Sequence, residues 1–191
     1  RERYGFYDAI AGIKTVEELI VPTRLAEFKL MTSGKSEIFS DDSVQGNGKR
    51  LDRVKNFFDI LRGQGNDLVI VDTAAGIGGI TSDILKEGDS VIIPQQSEPL
   101  GVRSIPQFLK KIVRIRREGA EVNVSGILMT MVNPHQRESV ESESQLRSAL
   151  PPGIMFQTSI PRDSVFLRAS SLGVPVGLLS RNPVPAAVAF D

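Results

Sequence analysis

Asp72 is the residue whose type and setting offer the clearest chemistry in this sequence. It closes the run Asp67-Leu68-Val69-Ile70-Val71-Asp72-Thr73 and is followed by Ala74-Ala75-Gly76-Ile77-Gly78-Gly79. Four consecutive apolar residues bounded by turn formers predict a strand buried on both faces. A carboxylate at the C-terminal end of such a strand stands where open α/β sheets place their ligands, and it suits a hydrated Mg²⁺. Gly76, Gly78 and Gly79 remove side chains where backbone N–H groups could approach an anion. The plainer alternative is an Asp that caps the next helix, followed by a tight turn.

Two further segments combine polar groups with the same placement, after a strand and before a helix. Met129-Thr130-Met131-Val132-Asn133-Pro134 puts Asn133 where its amide pairs with a base edge or caps a turn. Ile160-Pro161-Arg162-Asp163 reads either as ligand contacts or as a turn with Asp163 as helix N-cap. Lys110, Arg114 and Arg117 fall at i, i+4 and i+7, opposite an apolar stripe of Phe108, Ile112 and Ile115. Such a face is either solvated or an electrostatic contact for nucleic-acid phosphates. His135, the one histidine, follows a proline in a loop and is assigned no catalytic role. No Gly-x-Ser-x-Gly elbow supports serine hydrolysis.

The elements that must position these residues alternate along the chain. A short strand is predicted at 28–32, then a polar, Gly-rich mobile loop over 33–49. Leu51, Val54, Phe57, Phe58 and Leu61 mark a helix face. After the Asp72 strand come a helix near 81–86, a strand at 90–94 stopped by Pro94, and a basic helix ending near Gly119. A strand at 124–131, a polar helix at 136–150, a strand at 154–158 and a helix at 164–172 follow, and the Pro-rich end begins another helix. Strands alternating with helices imply βαβ crossovers and a parallel sheet. The fold class expected is α/β, a mostly parallel sheet flanked by helices.

Composition narrows the function classes. The 191 residues contain 40% hydrophobic and 24% charged residues with zero net charge, as in ordinary globular domains. The absence of cysteine excludes disulfides, thiolate metal sites and cysteine nucleophiles within these residues. Charge is uneven: residues 1–100 hold 12 Lys/Arg against 16 Asp/Glu, and residues 101–191 hold 11 against 7. The second half is therefore the one suited to an acidic partner. No apolar run reaches the length of a membrane span, about 20 residues. Arg1-Glu2-Arg3 is neither a signal peptide nor an initiator Met, and the chain is expected to begin inside a larger protein.

In order, these segments resemble the ParA/MinD family of deviant Walker-motif P-loop ATPases, over about residues 66–180. Asp67 to Gly79 is similar to the family's Walker B and switch segment. Val91-Ile92-Ile93-Pro94-Gln95-Gln96-Ser97-Glu98 and Gly126-Ile127-Leu128-Met129-Thr130-Met131 resemble ParA strands. Thr130-x-x-Asn133-Pro134 is similar to MinD. Ile160 to Asp163, Leu167-Arg168-Ala169-Ser170 and Gly173-x-Pro175-Val176 resemble the closing segment of both. The chain departs from the family at Ala75, where many ParA members have proline, and at Arg103, where many have an acidic residue. The phosphate-binding Gly-x-x-x-x-Gly-Lys-Ser/Thr loop is absent from these 191 residues, and MinD's membrane-binding helix is not visible before Asp191.

The resemblance implies a P-loop NTPase fold of the SIMIBI type, residues 1–191 forming one nucleotide-binding domain incomplete at its N-terminus. It implies a cytoplasmic, nucleoid-associated ATPase that partitions chromosomes or plasmids or positions cargo. ATP and Mg²⁺ would be its cofactors, and a homodimer binding nonspecific DNA and a ParB-like activator its working form. Asp72 would hold Mg²⁺ through water, as catalytic and metal residue, and Thr73 to Gly76 would sense the γ-phosphate. Asn133, Pro161, Arg162 and Asp163 would surround the adenosine. Hydrolysis is expected of the intact protein and not of these residues alone. The alternatives are a MinD-type or flagellar-placement ATPase at a membrane, and a metabolic relative such as a dethiobiotin-synthetase-like ligase.

Overall fold

A computed structural model describes residues 4–25, 27–35, 47–179 and 185–190. They fall into two compact units, Arg1–Gly88 with Gly119–Glu121, and Asp89–Glu118 with Val122–Asp191.

The first unit is helical around a small apolar core. Helices α1 (Phe6–Ala11) and α2 (Val16–Leu19) precede a two-residue antiparallel pair, β1 (Val21–Pro22) and β2 (Lys29–Leu30); α3 (Asn47–Gly63) and α4 (Gly79–Glu87) follow. The predicted face of α3 is the buried one: Val54, Phe57, Phe58 and Leu61 pack with Ile10, Val16 and Ile84. Phe57 meets both Phe6 and Phe58 edge to face, with ring centroids 5.0 and 5.5 Å apart. The start of α1 is clamped to the segment after β2. Phe6 and Tyr7 donate backbone N–H groups to the carbonyls of Thr32 and Ser33, each at 2.9 Å. Gly5 is required for this approach, because a Cβ there would lie 2.0 Å from the Thr32 oxygen. Most of the loop expected over 33–49 lies outside the described residues, and α3 already begins at Asn47.

The strand expected at Leu68–Val71 does not form. These residues have no regular structure, and Leu68 and Ile70 are 77% and 81% exposed. A strand exists only beside another strand, and among the described residues none pairs with this segment. Apolar content alone sets no partner.

The second unit is the expected α/β arrangement. Strands β3 (Ser90–Gln96), β4 (Asn123–Val132) and β5 (Met155–Pro161) form a parallel sheet in that order. Helices α5 (Pro99–Arg117), α6 (Arg137–Ala149) and α7 (Ser164–Leu172) follow the successive strands. Ile93, Ile127, Met129 and Met155 of the sheet pack with Ile105 of α5 and Leu146 of α6. Pro94 does not stop β3, as expected, but lies within it opposite Leu128. Among the described residues β3 pairs with β4 alone, so its far side tolerates a residue without an N–H. Gly126 lets Phe156 of the next strand approach, for a Cβ would stand 2.8 Å from its ring. The final Pro-rich segment forms a 3₁₀ helix, Pro185–Phe190, rather than an α-helix.

Candidate functional site

In the first unit, Asp72, Thr73 and Gly76 are all exposed, in the irregular segment that leads into α4. Asp72 has neither an ion pair nor a hydrogen bond among the described residues, so it does not act as a helix cap. The start of α4 is instead capped by Gly78, in extended backbone. Gly76 adopts a left-handed φ of 90°, and nothing lies within 4 Å of where a Cβ would stand at Gly76, Gly78 or Gly79. One exposed carboxylate thus precedes glycines with open space on their side-chain sides, while Ile77 between them is buried. A single carboxylate suits a hydrated Mg²⁺ only where substrate phosphates complete its coordination. No cluster of three or more acidic or histidine ligands exists among the described residues.

In the second unit the C-terminal ends of all three strands gather polar groups at one edge. The register places Val132 beside Pro161, and Arg162 donates its backbone N–H to the Val132 carbonyl at 2.9 Å. Asn133 and Arg162 therefore leave adjacent strands together. A cavity of about 310 Å³ opens there, lined by Ser97, Glu98, Met131, Gln136, Glu138, Ser139 and Arg162, with Pro99 and Leu100 as apolar wall. The lining carries one cation, Arg162, and two carboxylates, Glu98 and Glu138, which suits a hydroxyl-bearing ligand better than a bare anion.

The remaining expected residues divide. Asn133 is half-buried and its Oδ1 accepts the His135 N–H at 3.1 Å, which leaves its NH₂ and one oxygen lone pair unused. Asp163 caps α7, its Oδ1 accepting the Val165 N–H at 2.8 Å, so one of its oxygens is committed. Met131, Gln136, Glu138 and Ser139 were not among the expected residues. A polar helix start offers no signal of what it faces, and the positive φ of 56° at Met131 has none in its side chain.

On α5, Lys110, Arg114 and Arg117 are exposed on the side away from buried Ile105, Ile112 and Ile115. Arg114 is 82% exposed at its side chain and donates through Nε to Glu118 Oε1 at 3.1 Å. A pair this exposed is weak and gives way readily to a phosphate. No helix among the described residues is long and apolar enough to cross a membrane.

The family model described as "AAA domain" matches residues 2–125. The chain is 22% identical over 171 residues to the chromosome partitioning protein ParA of Myxococcus xanthus, covering 89% of this chain and 60% of that protein. It spans 65% of an uncharacterised Pseudomonas putida relative, so the curated relatives extend well beyond the matched length. Among solved structures it resembles apo McdA of Cyanothece, with a TM-score of 0.81 at 14% identity over 100% of this chain and 79% of that one. It also resembles the cobyrinic acid a,c-diamide synthase of Mycobacterium smegmatis, solved with an ATP analog and magnesium. There the TM-score is 0.72 at 20% identity over 91% of this chain and 75% of that one. These likenesses carry the fold, and the match over residues 2–125 carries the family: the chain belongs to the AAA-domain P-loop ATPases, in their ParA/MinD branch.

Proposed function

We propose that the whole protein is a ParA-like ATPase that partitions DNA or positions a cargo, working as an ATP-dependent dimer on nonspecific DNA with a ParB-like activator. The observation that carries this reading is the edge of the second unit, where Arg162 lines a cavity of about 310 Å³ and Asn133, which does not line it, leaves the adjacent strand. Asn133, Pro161, Arg162 and Asp163 are assigned to the adenosine, Asn133 by its unused amide donors and Arg162 by its planar cation. Asp72, exposed and unpaired, is assigned to Mg²⁺ through a water, with Thr73 and Gly76 toward the γ-phosphate. Mg²⁺, when bound, supplies positive charge to the phosphoryl group in transfer. Asp72 would orient it, and Gly76, with no side chain and open space beside it, would let a phosphate approach the backbone. Lys110, Arg114 and Arg117 are assigned to DNA phosphates.

The test is nucleotide turnover by the whole protein with and without duplex DNA. Mg²⁺-dependent ATP hydrolysis together with DNA binding that requires ATP supports the reading. ATP-dependent turnover of a small acid without DNA binding replaces it with the metabolic alternative, and recruitment to vesicles in place of DNA replaces it with the MinD-type one.

A further inference from the structure

The turn from β4 into α6 is held by hydrogen bonds through two buried serines. Ser139 and Ser97 are 3% and 4% exposed. The Ser139 Oγ accepts the backbone N–H of Asn133 at 2.9 Å. The Ser97 hydroxyl donates to the Ser139 carbonyl at 2.6 Å, and the Ser97 N–H donates to the Thr130 carbonyl at 3.0 Å. These bonds close a loop around Met131, the one non-glycine with positive φ among the described residues. Such a conformation is strained for a residue with a side chain and persists only where its surroundings hold it.

We propose that Ser139 is a positioning residue for nucleobase recognition, anchored by Ser97. This rests on the reading that Asn133 meets the base. With Oδ1 already accepting from His135, the Asn133 amide retains a donor and one acceptor lone pair. That pair complements the N7 acceptor and N6 amino donor of adenine, whereas guanine presents O6 in place of the amino group. The selectivity of so short a side chain depends on where its backbone sits, and Ser139 holds that backbone by its N–H. Without the hydroxyl, the turn is free to swing and the amide to face either purine.

The experiment measures displacement of fluorescent mant-ATP from the whole protein by ATP, GTP and tripolyphosphate. Ser139→Ala should weaken ATP by about 3- to 10-fold, the loss of one hydrogen bond. It should leave tripolyphosphate unchanged and shrink the preference for ATP over GTP. Ser97→Ala should act in the same direction, and the double variant should add little, since both act through one chain of bonds. Ser139→Thr, which retains the hydroxyl, should restore the preference. If Ser139→Ala melts too early to assay, Ser97→Ala decides. Asn133→Ala is run in parallel. If it leaves the ATP/GTP preference intact, the assignment of Asn133 to the base is wrong. If it removes the preference while folded Ser139→Ala and Ser97→Ala keep it, the positioning role alone is overturned. A purely structural serine would weaken both nucleotides equally.

Discussion

Arg50 of α3 donates through Nε to Oδ2 of Asp83 of α4 at 2.5 Å, and Asp83 is 7% exposed at its side chain. This pair joins two helices whose apolar faces share the first unit's core. Removing Arg50 would leave a buried carboxylate unpaired. Arg50→Ala should therefore destabilise the first unit by about 2–4 kcal/mol, more than a surface pair is worth. Urea unfolding of the variant checks it, and Asp83→Asn, which still accepts the bond without charge, should lose less. An Arg50→Ala midpoint equal to wild type would reduce the pair to a surface contact.

The exposed run Leu68–Val71 predicts that the 191-residue chain self-associates. Two apolar side chains more than three-quarters exposed on an unpaired extended segment invite association. Leu68→Lys with Ile70→Lys should shift the chain toward monomer in light scattering. Its melting should stay within about 0.5 kcal/mol of wild type, because nothing buried is lost. A large drop in stability would mean that these residues pack after all.

Asp72 is exposed and takes part in no packing. In the whole protein, Asp72→Ala and Asp72→Asn should both abolish ATP hydrolysis while leaving the circular dichroism spectrum unchanged, since the carboxylate's charge is what positions the cation. The 191-residue chain, which has no Gly-x-x-x-x-Gly-Lys-Ser/Thr loop, should bind ATP weakly or not at all by calorimetry. Near-normal turnover in either variant would make Asp72 a simple turn residue.

Lys110, Arg114 and Arg117 project from α5 into solvent. Changing all three to Ala should flatten the log–log salt dependence of DNA binding by about 0.9 for each phosphate no longer neutralised, for every DNA sequence alike. Fluorescence anisotropy across a salt series with ATP present measures the slope. An unchanged slope would assign this face to solvent.

Glu18 closes a capping box with Thr15 at the start of α2. The Thr15 backbone N–H, first, and Lys14 beside it hold the Glu18 carboxyl below its ordinary value of 4.5. Because the folded value lies below the unfolded one, the contribution is complete above about pH 4.5 and is lost as pH falls through the lowered value. Glu18→Gln should melt less acid-sensitively than wild type as the pH falls below about 4.5, and parallel melting curves would remove Glu18 from the acid response.

Helices were legible in the sequence because their hydrogen bonds are local and their buried faces repeat every three to four residues. The α3 stripe of Val54, Phe57, Phe58 and Leu61 and the whole span of α7 could be read from spacing alone. So could the α/β alternation of the second unit and the strand ends bearing Asn133 and Arg162. Pairing could not, because a strand's partners are distant in sequence. Leu68–Val71 carries the composition of a buried strand yet lies exposed with none beside it among the described residues, where β3, which admits Pro94, pairs with β4 alone. The hydrogen bonds from Ser97 to Ser139, and from Asn133 to Ser139, were equally hidden. The sequence by itself determined which residues could do chemistry and which elements carry them. Tertiary structure alone decided that a serine 42 residues from another would brace the turn that holds Asn133, because packing of β3 against β4 is what brings them together.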